Sequence, residues 1–160
     1  MEATQIILRP ARTRDFDFCE RLYFAEMKGI IQELNLDMAA QIASFLRQWE
    51  LPQVRIITFN RADVGWLQSA TRGDTLFLGQ LFVDRPFQRL GIGAQVMNIL
   101  IGEATSARRA VTLGVVKINP AVRLYERLGF RITHEDEHKF YMRRDPMTEI
   151  AISNPDRATC

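Results

Sequence analysis

Cysteine, histidine and lysine are all scarce in these 160 residues, and each scarcity excludes something. Cys19 and Cys160 are too few for a disulfide framework and have no metal-type spacing. Cys19 falls in an apolar-periodic stretch, which predicts a buried small hydrophobe. His134 and His138 are the only histidines and no cysteine lies near them in sequence, so zinc is set aside and no metal is expected. Lysine occurs only at Lys28, Lys117 and Lys139, and arginines such as Arg9, Arg61, Arg108 and Arg131 are scattered rather than clustered. The balance of 21 Lys+Arg against 19 Asp+Glu, a formal +2, is too small a bias to imply nucleic acid. Long apolar runs are missing too. The longest, near Val96 to Ile101 and Val111 to Val116, fall far short of a membrane span. Met1 to Arg14 has no apolar core and no cleavage pattern, so no secretory signal is read, and a cytoplasmic protein without membrane or nucleic-acid partners is expected. Repeats and low-complexity segments are absent. What remains, 47% hydrophobic and 25% charged residues, is the composition of one globular domain.

Hydrophobic periodicity orders the chain as β α α β β β α β α β β. Gln5 to Arg9 reads as a strand closed by Pro10. Phe16, Cys19, Leu22, Tyr23, Met27, Ile30 and Ile31 then recur at helical spacing, with Thr13 as N-cap and Gly29 as the point where the helix ends or kinks. A second helix spans Asp37 to Leu51, capped by Asp37 and stopped by Pro52. Strands follow at Val54 to Phe59, Val64 to Ala70 and Thr75 to Val83. A loop, Asp84 to Gly93, leads into a helix to about Ala107, and Ala110 to Val116 is a further strand. Asn119 as N-cap, Pro120 at the first helical position and Gly129 at the stop bracket the last helix. Phe130 to Thr133 and Phe140 to Arg143 flank a charged turn, His134 to Lys139. The domain covers residues 4–144, and 145–160 read as a loose tail.

The strand–loop–helix at Gly91-Ile92-Gly93 has the densest signal. A helix start leaves backbone N–H groups unpaired and carries partial positive charge, and glycines there let the main chain approach a phosphate. A G-x-G alone also fits a plain tight turn. The dinucleotide fingerprint is disfavoured because Val96 stands at the third glycine position, and the missing G-K-[ST] excludes a P-loop. Gln88-Arg89-Leu90-Gly91-Ile92-Gly93 fits Q/R-x-x-G-x-G/A and follows Leu81-Phe82-Val83 at the spacing that motif requires. Downstream stands Asn119-Pro120-Ala121-Val122-Arg123-Leu124-Tyr125-Glu126-Arg127-Leu128-Gly129-Phe130. Together, in this order and with a strand between them, the two segments resemble the GNAT acetyltransferase superfamily over roughly residues 4 to 144. Two departures are Arg89, where that family often has Gly, and Pro86, one place later than its common position.

The resemblance implies an α/β (α+β) fold: a mixed, mostly antiparallel central sheet splayed at its middle, with helices on both faces. It implies acetyl-CoA as co-substrate and transfer to an amine, small or peptide-borne, without metal. Carried over by position, Leu81, Phe82 and Val83 would meet the pantetheine arm and the thioester carbonyl. Gln88, Arg89, Leu90, Gly91, Ile92, Gly93 and Ala94 would hold the pyrophosphate, and Asn119 would bond near the pantetheine, although a plain N-cap explains it equally. Tyr125 would be the catalytic acid, since a phenol can protonate a departing thiolate; simple packing beside Leu124 and Leu128 is the competing explanation. Glu26, Met27, Glu33 and Asp37 lie in the helical segment that forms the acceptor site in this family, where a solvated helix face also accounts for the carboxylates. Gln80 stands where some relatives have Glu, and the general base is not readable. Trp49 and Trp66 read as core aromatics. Homodimer formation follows family habit rather than any pattern here, with Ile150 and Ile152 as apolar anchors in the tail. A non-catalytic acyl-CoA sensor or a structural module retaining the cleft is the alternative.

Overall fold

The computed structural model describes residues 5–146, so the tail anchors Ile150 and Ile152, and Cys160, lie outside the described residues. Seven strands form one mixed, mostly antiparallel sheet in the order β1-β2-β3-β4-β5-β7-β6, with four α-helices. They are β1 (Ile6–Pro10), α1 (Phe16–Glu33), α2 (Met38–Gln48), β2 (Val54–Phe59), β3 (Ala62–Arg72), β4 (Thr75–Val83), α3 (Ile92–Ser106), β5 (Ala110–Val116), α4 (Ala121–Arg127), β6 (Arg131–Glu135) and β7 (Lys139–Arg144). The chain divides into two compact units. The first takes residues up to Ala70 and Leu78–Met97; the second takes Thr71–Phe77 and the chain from Asn98. Among the described residues no helix is long and apolar enough to cross a membrane.

In the first unit β1 pairs antiparallel with β2 from Ile6 opposite Phe59 to Pro10 opposite Arg55. Proline at the end of an edge strand costs no ladder bond. β2 and β3 form a hairpin whose two-residue turn, Asn60-Arg61, has both residues at positive φ (48° and 72°), the geometry that matches strand twist. β3 therefore starts at Ala62, two residues before the sequence suggests. The core is aromatic: Cys19, Leu22, Tyr23, Phe45, Val54, Ile56 and Trp66 are buried, with Phe16, Trp49 and Phe82 packed against them. Trp66 is fully buried, flanked by Phe82 at 5.6 Å and Trp49 at 5.8 Å between ring centroids. Cys19 is fully buried as expected, and burial pushes its thiol up to about 12.

Two helix-end expectations are corrected. Thr13 does not cap α1, because a short 3-10 turn (Thr13–Asp15) precedes it. Asp15, 6% exposed, instead accepts the Arg12 N–H at 2.7 Å and both guanidinium nitrogens of Arg9 at 2.9 Å. Gly29 does not end α1, which continues to Glu33. The stop is Asn35 at φ 52°, where Asn35 N–H meets the Gln32 carbonyl and Leu36 N–H the Ile31 carbonyl. That is a left-handed cap, and asparagine adopts it when glycine is elsewhere. α2 does have Asp37 as N-cap, its carboxylate accepting from Ala40 N–H at 3.0 Å, and ends at Gln48, before Pro52.

In the second unit β7 pairs antiparallel with both β5 and β6. Val111, Leu113, Val115 and Met142 are buried together with Tyr125 and Phe130. β6 runs to Glu135, so His134 and Glu135 belong to a strand and not to the charged turn.

Candidate active site

The loop between β4 and α3 is built so that its backbone faces outward. Asp84 accepts the Arg85 N–H and opens a 3-10 turn (Arg85–Phe87), and Gln88 donates its side-chain amide to the Val83 carbonyl at 2.8 Å, tying the loop back to the strand. Arg89 (φ 64°) and Gly91 (φ 80°) then reverse the chain into α3. Ile92, Val96 and Met97 are buried and anchor the first turns of the helix. The first intrahelical bond is from Gln95 N–H to the Gly91 carbonyl, and none of the N–H groups from Gly91 to Ala94 meets an acceptor among the described residues. No acidic side chain stands in that turn. Four unpaired N–H donors at the positive end of a helix, with Arg85 and Arg89 exposed nearby, suit a phosphate or pyrophosphate.

β4 leads into this loop as an apolar strand that is not fully covered. Leu78 is its one buried residue, and Leu81, Phe82 and Val83 remain half-buried. Within the first unit the predicted strand and the predicted loop therefore form one continuous surface, joined by Gln88. Sequence reasoning missed Gly65 on β3, whose Cα faces the Phe82 carbonyl so closely that a Cβ there would collide with it. An isolated glycine inside a strand was the available signal.

The carboxylates proposed for the acceptor are dispersed along α1 and the start of α2. Glu26 is half-buried, Glu33 is exposed, Met27 packs against the aromatic core, and Asp37 is engaged in capping α2.

In the second unit Asn119 and Tyr125 sit at opposite ends of α4. Asn119 Oδ1 accepts the Ala121 N–H at 2.9 Å, while Pro120 and not Asn119 takes the N-cap position, so the helix starts one residue later than expected. The cap engages the oxygen of Asn119 and leaves its amide nitrogen to donate elsewhere. Tyr125 is 8% exposed, and its hydroxyl has no hydrogen-bond partner among the described residues. Burial pushes its pKa up to about 12, so the phenol keeps its proton at all neutral and mildly alkaline pH. Gly129 at φ 94° closes the helix as anticipated, and Arg144 Nε binds the Leu128 carbonyl at 2.9 Å.

A sequence profile described as the acetyltransferase (GNAT) domain matches residues 53–148, more than half of the chain, and the chain belongs to that family. It is thus an acetyltransferase-family protein by sequence as well as by architecture. Solved structures share the fold at low identity. The PaiA N-acetyltransferase of Thermoplasma acidophilum, in complex with coenzyme A, superposes with a TM-score of 0.68 at 13% identity, over 88% of this chain and 99% of that one. The ribosomal-protein-S18-alanine N-acetyltransferase of Escherichia coli gives 0.65 at 20% identity over 90% and 96%, and Ard1 of Thermoplasma volcanium 0.63 at 20% over 89% and 99%. A search of curated protein sequences finds no significant match.

Proposed function

We propose that the chain is an acetyl-CoA-dependent N-acetyltransferase that moves an acetyl group to a primary amine by direct attack on the thioester. The observation that carries this reading is the set of four unpaired N–H groups from Gly91 to Ala94 at the start of α3, reached along a half-exposed apolar strand. In this reading the loop from Gln88 to Ala94 holds the pyrophosphate, and Leu81, Phe82 and Val83 run beside the pantetheine arm, with an N–H near Leu81 or Phe82 polarising the thioester carbonyl. Asn119 donates its free amide nitrogen to the pantetheine region. The neutral amine attacks the carbonyl carbon, the N–C bond forms, and the C–S bond breaks as Tyr125 gives its proton to the departing thiolate; the surplus proton on the new amide nitrogen leaves to water, and water returns a proton to the Tyr125 phenolate. Burial keeps the phenol protonated, so its proton is present when the thiolate departs. The residues Glu26, Met27, Glu33 and Asp37 border the acceptor, which is a small or peptide-borne amine. A CoA-binding sensor would share the donor site and differ only in lacking turnover.

Calorimetry with CoA tests the donor site. Gly91→Glu places a carboxylate where the phosphate would lie and forces a side chain into φ 80°, so it should weaken CoA binding at least tenfold. Gly91→Ala adds no steric contact and separates backbone strain from charge. Equal CoA affinity in wild type and Gly91→Glu, with both folded by circular dichroism, would remove the assignment.

A further inference from the structure

Large apolar side chains that reach the surface mostly stand singly on their elements, as Ile7, Leu90, Ile118 and Ile132 do, and single ones need no explanation. α2 is different. Met38, Ile42 and Leu46 are 44%, 42% and 54% exposed on one helix of eleven residues. They recur every four residues and so form one row along it. A second row, Ala39, Ala43 and Arg47, runs beside the first and is exposed throughout. Phe45 points the other way, into the aromatic core. Arg47 is the only charged residue from Met38 to Gln48. The solvent face of a helix ordinarily carries charged and polar groups, and this one carries alanine and large apolar side chains instead.

The two rows fit each other. A row of large side chains is a ridge, a row of alanines beside it is a trough, and helices pack by setting ridges into troughs. Consider two copies of α2 paired antiparallel, with a two-fold axis passing between Ile42 and Ala43. Ile42 then lies on the partner's Ala43, Leu46 on its Ala39, and Met38 on the stem of its Arg47. The symmetry makes each of these contacts twice.

Charge selects the direction of the pair. Asp37 caps the start of α2 and Arg47 stands in its last turn, so the helix is acidic at one end and basic at the other. Antiparallel pairing brings each Arg47 guanidinium to the partner's Asp37 and sets opposite helix-dipole ends side by side. Parallel pairing would set Arg47 beside Arg47 and Asp37 beside Asp37. The face is therefore complementary to itself in the one arrangement that closes into a dimer.

We propose that the exposed face of α2 is the contact between two copies of this chain, paired antiparallel across a two-fold axis. The surface lies wholly within the first unit, and the inference stands apart from the transferase reading. α2 is only about 16 Å long, which puts the contact at the small end of specific interfaces. The dimer should accordingly be half-formed at roughly 10–100 µM chain.

Sedimentation equilibrium of the full chain under reducing conditions tests this. The wild-type mass should rise from 18.5 kDa toward twice that value as the chain is concentrated to about 500 µM. Ile42→Glu and Ala43→Glu put a carboxylate at the centre of the contact and should raise the dissociation constant at least tenfold. Both positions are exposed, so folding survives, and circular dichroism checks that it does. Arg47→Glu should weaken association several-fold. Ala40→Glu is the control: it lies on the same helix outside both rows, at a position where glutamate favours the helix start, and should leave association unchanged. A chain that stays monomeric at the highest concentration would overturn the proposal. A dimer that Ile42→Glu and Ala43→Glu leave intact would overturn it too, since its contact would lie elsewhere. If the full chain is monomeric and truncation after Arg144 makes it dimerise, the face belongs to the chain's own tail and the proposal fails.

Discussion

Phe130 packs on Tyr125 because the two residues are the closing pair of one helix cap. Phe130 N–H bonds the Tyr125 carbonyl at 3.0 Å, Gly129 N–H bonds the Glu126 carbonyl, and the rings meet with centroids 5.8 Å apart. This cap characteristically brings such a pair into apolar contact. The spacing from tyrosine to Gly129-Phe130 is therefore a folding device that immobilises the Tyr125 ring. Tyr125→Phe should keep that contact, change stability by less than about 1 kcal/mol because no hydrogen bond is lost, and lower turnover by roughly ten- to a thousand-fold. Thermal unfolding and steady-state kinetics at saturating amine check both halves. Wild-type turnover in this variant would reduce Tyr125 to a packing residue.

Burial raises the phenol of Tyr125 to about 12, above its ordinary value near 10. The unfolded chain therefore releases this proton at lower pH than the folded one. The stabilisation is complete below pH ~10 and is lost as pH rises through the folded value, a loss on the order of 2 kcal/mol. Tyr23 and Cys19, both raised by burial, act in the same direction. Urea denaturation from pH 8 to 12 should fall less steeply for Tyr125→Phe than for wild type.

Glycines separate cleanly into replaceable and irreplaceable ones. Gly29 in α1 and Gly102 in α3 have nothing within 4 Å of a built Cβ, so alanine at either should stabilise by about 0.5–1 kcal/mol. Gly65→Ala drives a Cβ into the Phe82 carbonyl and should cost roughly 1–3 kcal/mol. It should also weaken CoA binding, because the displaced strand is the one proposed to flank the pantetheine arm. Melting curves and CoA titration of the three variants check the ranking.

Asp15 is the buried end of a clamp that joins β1, the start of α1 and, through Arg9, Asp63 on β3. The hydrogen bond from Arg9 holds its carboxyl below the ordinary carboxylate range, against the opposing effect of burial. Its stabilisation is present above that ordinary range and fades as pH falls through the lowered value. Asp15→Ala should destabilise by about 2–4 kcal/mol, since it leaves the guanidinium without its main partner. A difference from wild type that persists undiminished at pH 2 would contradict this origin.

The strand and helix order was legible because periodicity is local, and the Gly91 and Gly129 turns were legible because only a few residue types adopt their φ. The Asp15 clamp was not, since it depends on Arg9 and Asp63, which come together only when β1 pairs beside β2 and β3. Asn35 outcompeted Gly29 as a helix stop because a glycine within a helix costs only ~1 kcal/mol, which the packing of Leu22, Tyr23 and Ile31 outweighs.

Amine-dependent thiol release from acetyl-CoA tests the proposed activity most directly. Purified protein, acetyl-CoA and a broad amine panel should yield free CoA thiol matched mole for mole by acetylated amine in the mass spectrum, with release falling at least tenfold in Tyr125→Phe. CoA binding at the Gly91 loop with no thiol released by any amine would contradict the transferase reading and leave a CoA-binding module.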